Sequence, residues 1–371
     1  MNLMPTITHD TSKSKTRSAR TEKERQNLIA YWLFFMCALV ALMVVVGGAT
    51  RLTDSGLSIT EWKPITGAVP PLSHEAWLSE FEKYKQIPEY EIVNQGMSLA
   101  DFKVIYWWEW GHRFLGRLIG VAFVVPLIIF AVNGWVERRL GIKLFGLLIL
   151  GGAQGALGWY MVQSGLSDRV DVSQYRLAAH LGLAVILFAA LYWTALDLSH
   201  KEHSDRRLNK LGVGALYLSL GVFGQIILGA FVAGLRAGKT YTTWPLMDGQ
   251  FFPDAYFSAT PALADMFETI AAVQFNHRIG AYILAALGVW YFFAAGKVTG
   301  SDAQQSKFRG QLVLGAIGVQ IILGISTLIL ATPLSLGLLH QLGALGVLCA
   351  TLYAAHGSRI SNEIAAGSSS D

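Results

Sequence analysis

Glu109, His112 and Arg113 bring a carboxylate, an imidazole and a guanidinium to the start of a long apolar run. On an α-helix, positions i, i+3 and i+4 share one face, so these three side chains would stand together. Ionisable groups in a membrane helix cost about 2.5–3.5 kcal/mol each near the bilayer centre and persist mainly where they have a function. The alternative interpretation is an interfacial ion pair between Glu109 and Arg113 among neighbouring tryptophans, and this stretch alone does not separate the two.

Four of the nine histidines are candidate metal ligands, because each lies near the start of a predicted membrane span. They are His112, His180, His277 and His340. A single histidine in a membrane helix is more often a hydrogen-bonded core residue than a ligand, but four at matched depth are hard to attribute to chance. The others lie in tails, loops or at the inner end of a span and need no role beyond solvation. These are His9, His74, His200, His203 and His356.

The distribution of these histidines along the chain indicates the kind of metal site. Imidazole suits zinc, copper and iron, but zinc and copper sites usually draw three or more ligands from a compact cluster. Here each half of the chain supplies only two, on non-adjacent spans. Two axial imidazoles facing each other across a helical bundle are what a six-coordinate haem needs. The sequence therefore favours haem over the other metal sites.

The two halves of the chain differ at one position next to their first candidate histidine. Glu109 stands three residues before His112, whereas Gln274, which cannot titrate, stands three residues before His277. We therefore expect proton-coupled chemistry in the first half and a permanently held haem in the second. Arginines near the same ends of the spans could pair with haem propionates or could extend to the bilayer interface. They are Arg51, Arg113, Arg117, Arg236 and Arg278.

Membrane helices must position all of these residues. The chain is 53% hydrophobic and 15% charged with a positive mean hydropathy, which excludes an ordinary soluble protein. Apolar runs long enough to cross a bilayer, about 20 residues each, recur along it, so the predicted fold is an all-α polytopic membrane protein. The eight predicted spans are 27–49, 106–133, 143–163, 175–196, 211–234, 270–295, 310–331 and 335–356. Basic residues sit in short loops rather than on one face, so no nucleic-acid partner is expected.

Basic loop residues also predict the orientation, because such residues collect on the cytoplasmic side. An inside N-terminus puts three basic loops inside and the long acidic segment 51–105 outside. Both termini are then cytoplasmic, with disordered tails expected over 1–26 and 358–371. Glu22 and Glu24 argue against a mitochondrial transit peptide, which favours a bacterial inner (cytoplasmic) membrane. The inside loops hold Arg138, Arg139 and Lys143, then Lys201, Arg206, Arg207 and Lys210, and then Lys297, Lys307 and Arg309.

The second half of the chain repeats the first. The His-Arg pair of span two recurs in span six, and Gln154 and Gly158 in span three have the same spacing as Gln320 and Gly324 in span seven. Four spans per unit is an even number, so the two units have the same orientation. The predicted architecture is two tandem four-helix bundles. They cover residues 27–200, which include the long outer loop, and residues 201–357.

These motifs resemble those of haem A synthases, over residues from about 27 to 357. The likeness rests on Glu109-x-x-His112-Arg113 with His180, on His277-Arg278 with His340, and on the stretches Gly47–Ser58 and Glu61–Pro64. Some members of that family carry a cysteine pair in outer loops. Both cysteines here, Cys37 and Cys349, lie inside predicted spans. The chain is therefore similar to the cysteine-free, mitochondrial and alphaproteobacterial-like branch, and a mechanism based on loop thiols is excluded.

The resemblance implies an enzyme that oxidises the C8 methyl of haem O to a formyl group, through a hydroxymethyl stage, for cytochrome oxidase. His277 and His340 would ligate a resident haem b. His112 and His180 would face or ligate the substrate haem O, with Glu109 essential nearby. Arg51, Arg113 and Arg278 would be candidates for binding the cofactor.

The partners that the resemblance implies are haem O and haem A, the lipid bilayer, haem O synthase and cytochrome oxidase assembly factors. An electron-transfer partner is also required, and the sequence does not give its identity. A homo-oligomer is compatible with the sequence. The alternative function is a di-haem b-type electron carrier to or from quinol, which would use the same four histidine ligands.

Overall fold

The computed structural model describes residues 11–166, 170–200, 207–258 and 262–360 of the 371-residue chain. Within these residues, eight helices are long and apolar enough to cross a membrane, which confirms the predicted all-α polytopic membrane fold. We call them spans one to eight. They are α1 (Thr11–Leu52), α4 (Leu99–Val132), α5 (Arg138–Gln163), α6 (Gln174–Ser199), α7 (Lys210–Gly234), α9 (Ile270–Gly296), α10 (Ala303–Ile329) and α11 (Leu334–Gly357).

Short elements connect the spans. Three of them are the helices α2 (His74–Tyr84), α3 (Pro88–Ile92) and α8 (Ala262–Glu268). Two short strands, β1 (Arg207–Leu208) and β2 (Arg359–Ile360), pair antiparallel and join the start of span five to the end of span eight. Single 3₁₀ turns cover Thr66–Ala68, Ala237–Lys239, Asp254–Phe257 and Gly300–Asp302.

Several helices begin earlier than the apolar runs predicted, among them spans one, two, three and seven, which begin at Thr11, Leu99, Arg138 and Ala303. Span one begins at Thr11, so it covers part of the segment expected to be a tail, because lysine, arginine and glutamate are good helix formers. Span two begins at Leu99, where the Ser98 side chain accepts a hydrogen bond from the Asp101 amide at 3.2 Å and caps the helix. Neither start coincides with a change in hydropathy. The predictions for His9, Lys201, His203, Arg206 and residues 361–371 lie outside the described residues.

The spans pack mainly against near neighbours in sequence. In the first half, spans one and three each contact spans two and four. In the second half, spans five, six, seven and eight follow one another around a closed ring, with span eight against span five. The halves meet through spans one and four on one side and spans five and eight on the other. One continuous apolar core takes a buried residue from every span: Leu33, Phe123, Leu147, Leu191, Leu218, Tyr291, Val313 and Leu348.

One end of the helix assembly carries residues 53–98, which we call the long-loop segment; that end is the long-loop face. A second apolar cluster holds this segment in place. In it, α2 packs on the extended start of span two: Phe81 stacks on Phe102 with ring centroids 4.9 Å apart, and Trp77 meets Tyr106 edge-on at 4.9 Å. The cluster makes the long-loop segment a packed cap over the first half.

An ionic cluster at the opposite end ties three spans together. Asp197 of span four accepts hydrogen bonds from Lys143 at 3.1 Å, from His356 Nε2 at 3.0 Å and from Arg359 at 3.2 Å. His356 is only 3% exposed. The expectation that His356 is merely solvated was therefore wrong, because the end of span eight is buried against span four.

Glu89 is a buried acid within the long-loop segment. It is 5% exposed, and the Tyr84 hydroxyl lies 3.3 Å from its Oε2. That hydroxyl in turn accepts a hydrogen bond from Asn94 Nδ2 at 2.7 Å. Burial, helped by the nearby negative charge of Glu109, raises the pKa of Glu89 to about 8.

The stability of the long-loop segment should fall as the pH rises. The pKa of Glu89 is about 8 in the folded segment against an ordinary value of 4.5, so folding takes up a proton between these values. The stabilisation is complete below the lower value and is lost as the pH rises through the higher one, by at most about 1.4 kcal/mol per pH unit. Hydrogen exchange of the α2 and α3 amides at several pH values, corrected for intrinsic exchange rates, measures this loss of stability.

Glu89→Gln should remove most of this dependence, because the amide does not titrate. Glu91→Gln is the matched control, since Glu91 is exposed on the same short helix. Equal pH dependence in the wild type and in Glu89→Gln would contradict the assignment.

Candidate functional site

The imidazoles of His277 and His340 face each other within the second half. Their ring centroids are 6.3 Å apart and their planes are 80° apart. A metal–imidazole nitrogen bond is about 2.0 Å and the ring centroid lies about 1.1 Å further, so two imidazoles on opposite sides of one metal would have centroids about 6.2 Å apart. The observed separation therefore fits two axial ligands of one metal ion.

The rest of such a coordination sphere would come from the cofactor. Among the described residues, no group of three or more His, Cys, Asp or Glu side chains could hold a metal ion. A haem needs only the two axial protein ligands, because the porphyrin supplies the others. The separation of His277 and His340 is thus compatible with a haem iron, and their role as haem ligands stays a prediction.

A glutamine holds each of these imidazoles. Gln225 Nε2 donates to the main-chain carbonyl of His277 at 2.8 Å and lies 3.0 Å from Nδ1 of its ring. Gln320 Nε2 donates to the carbonyl of His340 at 2.8 Å and lies 3.1 Å from its Nδ1. The amide thus bonds the helix that carries the histidine and contacts the ring. Each glutamine fixes the histidine on the following span.

Glycines make room for both partners. A Cβ added at Gly280, three residues after His277, would collide with Oε1 of Gln225, and Gly343 has the same relation to Gln320. A Cβ at Gly229 would lie 3.2 Å from Cε1 of His277, and one at Gly324 would lie 2.8 Å from Cε1 of His340. The rings therefore pack directly on the backbone of spans five and seven.

The same arrangement occurs a third time, in the first half. Gln154 Nε2 donates to the carbonyl of His180 at 3.0 Å and lies 3.2 Å from its Nδ1, while a Cβ at Gly158 would lie 2.9 Å from its Cε1. We call Gln154, Gln225 and Gln320 the brace glutamines. In all three, Oε1 is buried without a hydrogen-bond partner. Sequence reasoning missed Gln225, although its Gln-x-x-x-Gly spacing was the available signal.

His112 is arranged differently from the other three histidines. Within the described part of the chain, no hydrogen bond reaches its ring and no ring contact joins it to His180. It packs on Gly47 of span one, where an added Cβ would lie 3.2 Å from Nε2 rather than nearest to Cε1. Four residues before Gly47, at the position of a brace glutamine, the chain has Met43.

Glu109 is a buried carboxylate surrounded by donors. It is 2% exposed, and Arg113 Nη2 donates to its Oε1 at 2.6 Å. Its Oε2 accepts from the Ser58 hydroxyl at 2.7 Å and from the Ile59 amide at 2.8 Å. The predicted common face of Glu109 and Arg113 is confirmed by this i, i+4 ion pair. The carboxylate is held between span two and the long-loop segment.

Gln274 and Arg278 repeat this geometry without the negative charge. Arg278 Nη2 donates to Gln274 Oε1 at 3.2 Å and to the Tyr241 carbonyl at 2.9 Å. In the first half, Arg113 Nη2 donates likewise to the Ile59 carbonyl at 2.8 Å. In both halves the arginine after the histidine therefore anchors the preceding loop to the span.

Arg51 lies in a four-charge cluster between the halves. Its Nη1 meets Asp171 at 2.9 Å and Asp54 at 3.3 Å, while Arg236 Nη2 meets the same two carboxylates at 2.8 and 2.9 Å. Arg51 Nε and Nη2 also donate to main-chain carbonyls at the end of span five. All three guanidinium nitrogens thus have protein partners, and the cluster joins the ends of spans one and five.

Arg117 lines a cavity of about 300 Å³ on the long-loop face. Its Nε and Nη2 donate to the carbonyls of Pro64 and Lys63, both at 2.8 Å. Its Nη1 is buried without a partner. Arg113 and Trp110 line the same cavity. Span two therefore presents one unsatisfied guanidinium nitrogen in this region.

Comparison with known proteins gives consistent matches over most of the chain. Residues 30–352 match the COX15-CtaA family model, described as cytochrome oxidase assembly protein. The chain is 51% identical over 356 residues to Heme A synthase of Parvibaculum lavamentivorans, with 96% of this chain and 99% of the relative covered. It is 54% identical over 323 residues to Heme A synthase of a Methylobacterium species, with 85% and 88% covered. It is 49% identical over 336 residues to that of Maricaulis maris, with 90% and 97% covered.

Removing the arginine that follows the histidine should lower the free energy of unfolding more in the first half than in the second. Arg113→Ala would leave Glu109 buried and uncompensated, which costs about 3–5 kcal/mol. Arg278→Ala would leave a neutral amide, which costs about 1–3 kcal/mol. Free energies of unfolding in detergent, compared between the two variants, measure the difference. Arg113→Ala should cost less in a Glu109→Gln background, and equal losses with no such rescue would refute the charge argument.

Proposed function

Because the chain belongs to the haem A synthase family, we propose that it oxidises the methyl group of haem O to the formyl group of haem A for cytochrome oxidase assembly. The observation that carries this proposal is 51% identity to a protein named Heme A synthase over 96% of the chain. The protein is an oxidoreductase of the membrane. The alternative of a di-haem electron carrier is not supported by these relatives.

The two halves divide the work as two four-helix units, residues 27–200 and 201–357. In the second unit, His277 and His340 hold a resident haem b, a role supported by their 6.3 Å ring separation. When bound, that haem supplies one-electron transfer. The brace glutamines of these histidines keep both imidazoles in position to receive it.

His112 and His180 in the first unit face the substrate haem O. Glu109 is one helical turn from His112 and takes up protons that leave when a methyl group is oxidised to a formyl group. Arg113, Ser58 and the Ile59 amide fix the position of this carboxylate. The role as proton acceptor is supported by the contrast with the second half, where the non-titrating Gln274 takes the same place.

Arg51, Arg113 and Arg278 support cofactor binding by closing the long-loop face over the two units. Direct pairing of Arg51 or Arg113 with a propionate has no support in their contacts, since each guanidinium group already bonds protein oxygens. Arg117, with Nη1 buried and unpartnered, is better placed for such a contact.

The chain lies in a bacterial inner membrane with both termini in the cytoplasm. The long-loop face is then on the outer side, where the acidic long-loop segment follows the charge rule for membrane loops. Haem O synthase and cytochrome oxidase assembly factors are the partners that would supply the substrate and take the product, and an electron acceptor completes the reaction. A homo-oligomer is compatible with the exposed apolar surfaces of the spans.

Haem extracted from the purified protein tests the function. Co-expressed with a source of haem O, the wild type should carry haem b together with haem O, its hydroxylated form or haem A, separable by chromatography. His277→Ala and His340→Ala should lose haem b, because each removes an axial ligand. His112→Ala and His180→Ala should keep haem b and lose the other haem. Two equivalent haem b groups, with no haem O or haem A, would indicate an electron carrier instead.

Glu109→Gln should abolish conversion of haem O while leaving the haem content largely intact. The amide fills the same volume but cannot take up a proton, and loss of such a group typically costs about 10²- to 10⁴-fold in rate. Glu82→Gln is the matched control, because Glu82 is an exposed acid of the same loop that pairs with Lys85. Full conversion by Glu109→Gln would remove the carboxylate from the mechanism.

A further inference from the structure

Three of the four site histidines share one support, and the fourth lacks it. Each brace glutamine donates to the main-chain carbonyl of its histidine at 2.8–3.0 Å and lies 3.0–3.2 Å from Nδ1 of the ring. These contacts fix His180, His277 and His340. No hydrogen bond within the described residues reaches the ring of His112. The difference falls in the half that contains Glu109.

Met43 occupies the place of the missing brace. It precedes Gly47 by four residues, as each brace glutamine precedes its own glycine by four. A Cβ added at Gly116, on the helix of His112, would lie 3.4 Å from the methyl carbon of Met43, so this side chain reaches the span that carries the histidine. Methionine and glutamine have similar length, but a thioether has no N–H to donate.

The ring of His112 also turns differently. At the three braced histidines, the ring carbon Cε1 is the atom nearest to the glycine of the preceding span, whereas at His112 it is the nitrogen Nε2. A ring without a fixed hydrogen bond can change its orientation at little cost. A ligand that is not pre-oriented gives up more conformational freedom on binding, and groups that orient metal ligands change metal affinity by about 10- to 100-fold.

We propose that Met43 leaves His112 unbraced so that the first half can release its haem, while the brace glutamines make the haem of the second half permanent. This inference rests on the proposed function, in which the first half binds haem O and lets haem A go. Gln154, Gln225 and Gln320 are then positioning residues, acting through the histidines they hold. Met43 is the position that separates an exchangeable haem site from a fixed one.

Met43→Gln tests this proposal, because it supplies the fourth brace. The measurement is the rate at which haem O or haem A leaves the purified protein for an excess of apomyoglobin, with the extracted haems identified by chromatography. We expect release from the first half to slow by about tenfold. Haem b of the second half should keep its optical spectrum and its slow release.

Two further variants complete the design. Met43→Leu is the matched control, since it keeps an apolar side chain of similar size, and it should release haem at the wild-type rate. Gln154→Leu removes the brace of His180 and should speed release from the first half by about tenfold, which provides a test even if Met43→Gln does not fold. Equal release rates for Met43→Gln and Met43→Leu, or for Gln154→Leu and the wild type, would overturn the proposal.

The same experiment distinguishes failure of the proposed function. If the wild type yields haem b alone, with no haem O or haem A in the extract, then the proposed function fails and this inference fails with it. If haem A is present but its release rate does not depend on the residue at position 43 or position 154, the proposed function stands and only the role of the brace glutamines is refuted.

Discussion

The hydrogen bond from a glutamine amide to the main-chain carbonyl of a histidine on the next span is the contact on which the site depends. In a helix interior the histidine carbonyl already accepts a hydrogen bond from the helix backbone. The glutamine amide donates a second bond to this carbonyl, and the same bond places the amide against the imidazole. The contact leaves Oε1 of each brace glutamine buried without a partner, a cost of about 1–3 kcal/mol for a polar group. In the second half, glycines on both helices make room, because a Cβ at Gly280 or Gly343 would meet the amide and one at Gly229 or Gly324 would meet the ring. The arrangement therefore favours exact ring position over local stability, which is the expected compromise at a ligand site.

The two halves use one mechanical design with different charges. In each, an arginine next to a histidine bonds the side chain one turn earlier and a carbonyl of the preceding loop. Glu109 makes that side chain an acid in the first half, and Gln274 makes it neutral in the second. The geometry is thus repeated between the halves, while only the first half places an acid at this position. The brace positions differ in the same sense, since only the half with Glu109 has an unbraced histidine.

Much of this organisation could be predicted from the sequence, because hydropathy and spacing determine it. Eight apolar runs and the contrast between Glu109 and Gln274 were visible in the chain, and the four histidines stood out by their positions. The start of span two at Leu99 could not be predicted from hydropathy, because that helix begins at a polar cap, Ser98, and not at the start of an apolar run. The partners of the arginines were not predictable either, because they are main-chain carbonyls in loops. Burial of His356 against Asp197 depends on contact between spans far apart in sequence, which periodicity does not reveal.

The most direct test of the central claim is the electron paramagnetic resonance spectrum of the oxidised, purified protein. His277 and His340 have ring planes 80° apart, and the brace glutamines hold them there. Two axial imidazoles in nearly perpendicular planes give a low-spin ferric haem a strongly anisotropic signal with one large g value. A haem bound between His277 and His340 should give that signal, and the signal should be lost in His277→Ala. A rhombic signal typical of parallel imidazole planes, or a high-spin haem in the wild type, would contradict it.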